Sequence, residues 1–81
     1  MEFTGKYEVR VVGDEQWECK LDYRPTPRAK VATATVLVGV HDVTVTDLGR
    51  PYKVTKAEQD RVYDIMGCAR RRVRNFIFNG R

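Results

Sequence analysis

The stretch TKAEQDRVYDIMGCARRRVRNFIFNG, residues 55–80, decides how this chain folds. Within it Val62, Ile65, Met66, Ala69, Val73, Phe76 and Ile77 recur at spacings of three and four. At about 100° per residue those positions form one stripe, the signature of a helix that buries a single face. Thr55 followed three residues later by Glu58 reads as a capping box, in which each side chain satisfies the other's unpaired backbone amide. Glu58, Asp60 and Asp64 precede the arginines, the order that the helix dipole favours, and Asn79-Gly80 supplies a stop. The spacing predicts a helix over 55–78.

Upstream of it the period changes to two. Tyr7, Val9 and Val11 alternate with Glu8 and Arg10, which predicts a strand over 6–12. Gly13-Asp14-Glu15 reads as a turn. Trp17, Cys19, Leu21 and Tyr23 then alternate with Glu18, Lys20 and Asp22, a second strand over 16–23 that forms a hairpin with the first. Pro25 and Pro27 break the sheet, because proline donates no ladder hydrogen bond, and leave a loop bearing Arg24, Arg28 and Lys30. Residues 31–40 carry no charge, so this third strand is expected to hold a buried central position, covered on both faces, with pairing to another chain as the alternative. Val43-Thr-Val-Thr restarts the alternation and reads as a fourth strand over 43–47, after a reversal at His41-Asp42; one long bent strand is the other reading. Asp47 to Tyr52 is connecting loop. The expected class is α+β, an antiparallel sheet of three or four strands (β-β-β(-β)-α) with one long C-terminal amphipathic helix packed on the sheet face that bears Trp17, Leu21 and Tyr23.

Eighty-one residues are expected to form a single domain, 1–81, with a thin core: at this size folding buries roughly 60–65% of the unfolded chain's surface. A composition of 42% hydrophobic and 32% charged residues is that of a globular protein. No apolar run approaches the ~20 residues that span a bilayer, and the first residues lack the pattern of a secretion signal, so the expectation is a cytoplasmic protein without a membrane partner. Cys19 and Cys68 are too few for a disulfide framework or a metal site and are expected to be reduced thiols.

No catalytic constellation assembles from these residues, and neither a cofactor nor a metal is expected. His41 has Asp42 beside it, but neighbours in a turn project in different directions, whereas a general base needs its partner within hydrogen-bond reach. Cys68, about 120° from the centre of the apolar stripe, has no histidine to activate it. No phosphate-cradling glycine loop or nucleophile-elbow motif occurs. An enzyme is the least expected class.

The charge is where a function shows. The net +4 arises at the C-terminus: Arg70, Arg71, Arg72, Arg74 and Arg81 all follow the last acidic residue, while residues 1–69 hold ten basic and eleven acidic side chains. Angular bookkeeping puts Tyr63, Gly67, Arg70 and Arg74 on one line flanking the apolar stripe, with Arg72 on the opposite flank and Arg71 at the back. Gly67 costs about 1 kcal/mol relative to alanine in a helix interior, and close approach of a partner is a reason for it. The competing account is that arginines late in a helix offset its dipole and aid solubility.

The expected function is that of a small non-enzymatic interaction domain binding nucleic acid, or a nucleic-acid-handling complex. Arg70, Arg71 and Arg74, aided by Arg24, Arg28 and Lys30, would neutralise phosphates, and Tyr63 or Tyr52 would stack on a base. The alternative is a protein-binding inhibitor or adaptor, of the kind phages and mobile elements carry, whose arginines meet an acidic protein surface and which forms a homodimer through the 31–40 strand. The order of strands followed by one helix resembles the plan of integrase-type and AP2-type DNA-binding domains, which implies a sheet that reads the major groove. Here that sheet face alternates in sign through Glu8, Arg10, Glu18, Lys20 and Asp22, which departs from what such a sheet needs on DNA.

Overall fold

A computed structural model describes residues 1–79. Four antiparallel strands, β1 (Glu2–Gly13), β2 (Gln16–Arg24), β3 (Ala32–Gly39) and β4 (Val43–Asp47), pair in sequence order, and α1 (Lys56–Asn79) packs against one face of the sheet. This is the expected α+β arrangement, with residues 31–47 forming two strands rather than one. The reversal between them is closed by the Gly39 amide donating to the Asp42 carbonyl at 2.8 Å, which leaves His41 and Asp42 in a turn.

β1 begins four residues earlier than the alternation suggests. Phe3 faces Tyr23 and Tyr7 faces Leu21, so two extra residues are accommodated between Phe3 and Tyr7. Gly5, at φ +90°, turns that irregularity, which returns Phe3 to the face that also carries Tyr7 and Val9. A Thr-Gly pair reads as a break in a strand, which is why the sequence pattern stops at Lys6.

The core is one layer between sheet and helix. Cys19, Leu21 and Tyr23 from β2 and Ala34, Val36 and Val38 from β3 meet Ile65, Cys68, Ala69 and Val73 from α1, all nearly or fully inaccessible to water. Full burial of a side chain such as Ile65 or Leu21 contributes roughly 1.5–3 kcal/mol. Trp17, at the end of the same row, is half-buried.

The β3 strand is central, as expected, but departs from expectation in its edges and its faces. It lies between β2 and β4, with an unbroken register from Gln16–Gly39 to Tyr23–Ala32 on one side and β4 on the other. Both of its edges are occupied, so it offers none for pairing with a second copy of the chain. Nor are both faces covered: Ala34, Val36 and Val38 face the helix, while Thr33, Thr35 and Leu37 lie on the sheet's other face, where no further element packs among the described residues. Absence of charge here reflects a central position in the sheet, where β-branched side chains fit the pleat between paired neighbours. The charged rows of that open face pair across strands, as Arg10 with Glu18 at 2.9 Å and the Thr33 hydroxyl donating to Asp22 at 2.7 Å show.

Candidate functional site

The site region begins where β4 passes into the helix. Leu48 is buried, and its carbonyl accepts the Tyr23 hydroxyl at 2.7 Å. Gly49, at φ +72°, lies against the Thr33 backbone so closely that a β-carbon would overlap the Thr33 carbonyl oxygen and crowd its amide. Arg50 then donates from Nε to the Tyr23 hydroxyl at 2.9 Å and contacts Glu58 with Nη2 at 2.5 Å. Glu58 is 1% exposed and also receives Arg61 at 3.1 Å. Burial alone would raise the Glu58 pKa, but the Arg50 and Arg61 guanidiniums outweigh it and hold the carboxyl below its ordinary range. Burial likewise raises the Tyr23 phenol, opposed by Arg50.

This arrangement corrects the capping reading in part. The Thr55 hydroxyl accepts the Glu58 amide at 3.1 Å, as a cap should, but the reciprocal bond is absent. The Thr55 amide donates instead to the Lys53 carbonyl at 2.9 Å, because the Glu58 side chain points inward to Arg50. Helix start and loop are thereby tied to the end of β2.

The helix also sits rotated from the expected stripe. Ile65, Cys68, Ala69 and Val73 are buried, whereas Met66 is half-buried and Ile77 is 48% exposed. The buried face is centred about 40° toward Cys68 relative to the sequence estimate. Cys68 is thus a core residue, and it opposes Cys19, whose thiol is pushed up to about 11 by burial and by the neighbouring Cys68, with Arg72 opposing. Both cysteines are free thiols. Arg72 is half-buried and lays its guanidinium over the Tyr7 ring, 4.5 Å from the centroid, a structural contact rather than a free charge.

The same rotation turns the line of Tyr63, Gly67, Arg70 and Arg74 from the flank toward the back of the helix. Tyr63 is 67% exposed, Arg70, Arg71 and Arg74 are exposed, and Gly67 is half-buried. Arg70, Arg71 and Arg74 make no salt bridge among the described residues, in contrast to Arg50 and Arg61. Arg81 and the Asn79-Gly80 stop extend beyond the described residues. A β-carbon on Gly67 would meet only the Arg71 guanidinium, at 3.9 Å, so nothing inside the domain demands glycine there.

Arg24, Arg28 and Lys30 are carried by another segment. Arg24 is half-buried at the end of β2, and Arg28 and Lys30 are exposed in the β2–β3 loop. Arg70 lies twelve residues beyond Glu58, about 18 Å along the helix axis. The eight candidates thus come from two segments, the end of β2 with the loop after it, and α1.

A concavity of about 580 Å³ lies between β4 and the first half of α1. Val45, Leu48 and Val62 provide its apolar lining, Tyr52 and Tyr63 contribute aromatic rings from two different elements, and Thr46, Asp47, Gln59 and the Glu58-paired Arg50 add polar groups. Sequence reasoning flagged both tyrosines but not that they share a groove. Set beside known proteins, the chain matches no family model, no curated protein and no solved structure.

Proposed function

We propose that this domain is a non-catalytic module that binds nucleic acid through the exposed arginines of α1. The observation that carries the reading is that Arg70, Arg71 and Arg74 are exposed and have no carboxylate partner among the described residues, while the arginines nearer the sheet are absorbed by Glu58 and Tyr7. The dipole account of the cluster is weak on this geometry. The last described turn of the helix contains no basic residue, and the influence of a helix end fades within about one turn. Three unpaired guanidiniums on one helix instead suit a ligand that carries regularly spaced negative charge.

The test is fluorescence anisotropy with labelled DNA and RNA oligonucleotides at two salt concentrations, for the wild type and for Arg70→Ala with Arg74→Ala. Binding that weakens steeply with salt, and that the double substitution reduces, is expected. Absence of binding at low salt, or binding indifferent to the substitutions, would overturn the reading. A protein partner with an acidic surface is the other outcome, revealed by stoichiometric capture that survives nuclease treatment.

A further inference from the structure

The groove between β4 and α1 has no part in holding the fold that its two tyrosines would explain. Tyr52 is 48% exposed and Tyr63 67% exposed, so each leaves a large aromatic face in water although both line the same concavity. Its volume of about 580 Å³ falls within the roughly 300–1,000 Å³ of small-molecule sites. The charged groups around it do not favour phosphate: Asp47 lines it, the lining Arg50 is already paired with Glu58, and Asp60 and Asp64 stand exposed on the helix beside Tyr63. Along the helix beyond Tyr63, guanidiniums without a carboxylate partner among the described residues begin at Arg70, seven residues and about 10 Å further along the axis. Aromatic faces with hydrogen-bonding groups in one place, and guanidiniums a short distance away, match the two halves of a nucleotide strand, flat bases and charged backbone.

From this juxtaposition we infer that the groove seats an unstacked base held against Tyr63 and Tyr52, with Arg70 and Arg74 on the adjoining phosphates, so that the ligand is a single strand rather than a duplex. The inference rests on the nucleic-acid reading above and narrows it. A paired and stacked base cannot enter a concavity between a strand and a helix, whereas a single strand presents its bases at no pairing cost. Thr46 and Gln59 can then hydrogen-bond the base edge that pairing would otherwise occupy.

The experiment compares a short single-stranded oligonucleotide with the duplex of the same sequence, by anisotropy across a salt series. It uses the wild-type chain, Tyr63→Ala, Tyr52→Ala, Tyr63→Phe, and Arg70→Ala with Arg74→Ala. Tyr63→Ala is expected to weaken single-strand binding by about 5- to 150-fold, the range that base–aromatic stacking supplies, with an unchanged salt slope, while Tyr63→Phe keeps its ring and binds as the wild type does. The arginine double variant is expected to lower the slope by about 1.4, since each phosphate contact on a single strand contributes about 0.7. Duplex binding as tight as single-strand binding, or wild-type affinity in both tyrosine-to-alanine variants, overturns the groove assignment; the arginine reading stands if its slope effect persists. Loss of both the slope effect and the tyrosine effect sinks the two readings together.

Discussion

Arg50 meets one oxygen of Glu58 and Arg61 the other, so a single buried negative charge faces two positive ones where loop, sheet and helix converge. Glu58→Gln leaves those guanidiniums without a counter-charge and is expected to cost about 3 kcal/mol, read from urea denaturation. The pH dependence follows from the direction of the shift. The folded carboxyl titrates below its ordinary value of 4.5, so its stabilising contribution is full above that pH and is lost as the pH falls through the folded value. Melting temperature is therefore expected to hold between neutrality and pH 5 and to fall below about pH 4.5, a fall that Glu58→Gln should diminish. This role was hidden in the sequence because a Thr followed three residues later by a Glu describes a capping box equally well. Only the position of Arg50, brought over by a turn that requires Gly49, decides which bond the carboxylate makes.

For the elements themselves, periodicity was a good guide to existence and a poorer one to orientation. The alternation at 16–23 and the spacing of three and four after Thr55 locate β2 and α1 to within a residue or two. The azimuth of α1 was misjudged because Met66 and Ile77 were weighted as core and Cys68 was not. Hydrophobicity alone cannot tell an apolar side chain that faces a neighbour from one left at the edge of a single-layer sheet. Gly67 marks an element-level test. An added β-carbon finds only an ordinary contact with Arg71, so Gly67→Ala is expected to stabilise the protein by about 1 kcal/mol in thermal or urea unfolding. Destabilisation would mean that the helix is bent or packed there in a way the Arg71 contact does not reveal.

Across the whole molecule, the charges divide into those that hold the fold and those that do not. Arg10, Arg50 and Arg61 pair with carboxylates, and Arg72 covers Tyr7. Arg70 and Arg74 are exposed and unpaired among the described residues, so replacing both with alanine is expected to change unfolding stability by less than about 0.5 kcal/mol, measured by urea denaturation, while changing ligand binding. Among the described residues no helix is long and apolar enough to cross a membrane. The amino-acid sequence by itself determined the class and order of the elements, the helix start at Thr55, the uncharged third strand and the concentration of arginine after Asp64. All of these are written in local spacing, which backbone geometry converts directly into faces. Tertiary structure alone decided that β3 has no free edge, that Glu58 is an internal counter-ion, and that Tyr52 and Tyr63 share a groove. Those facts depend on which distant segments lie side by side, and a meander that ends in a helix lying against all four strands brings residues together at separations no local pattern records.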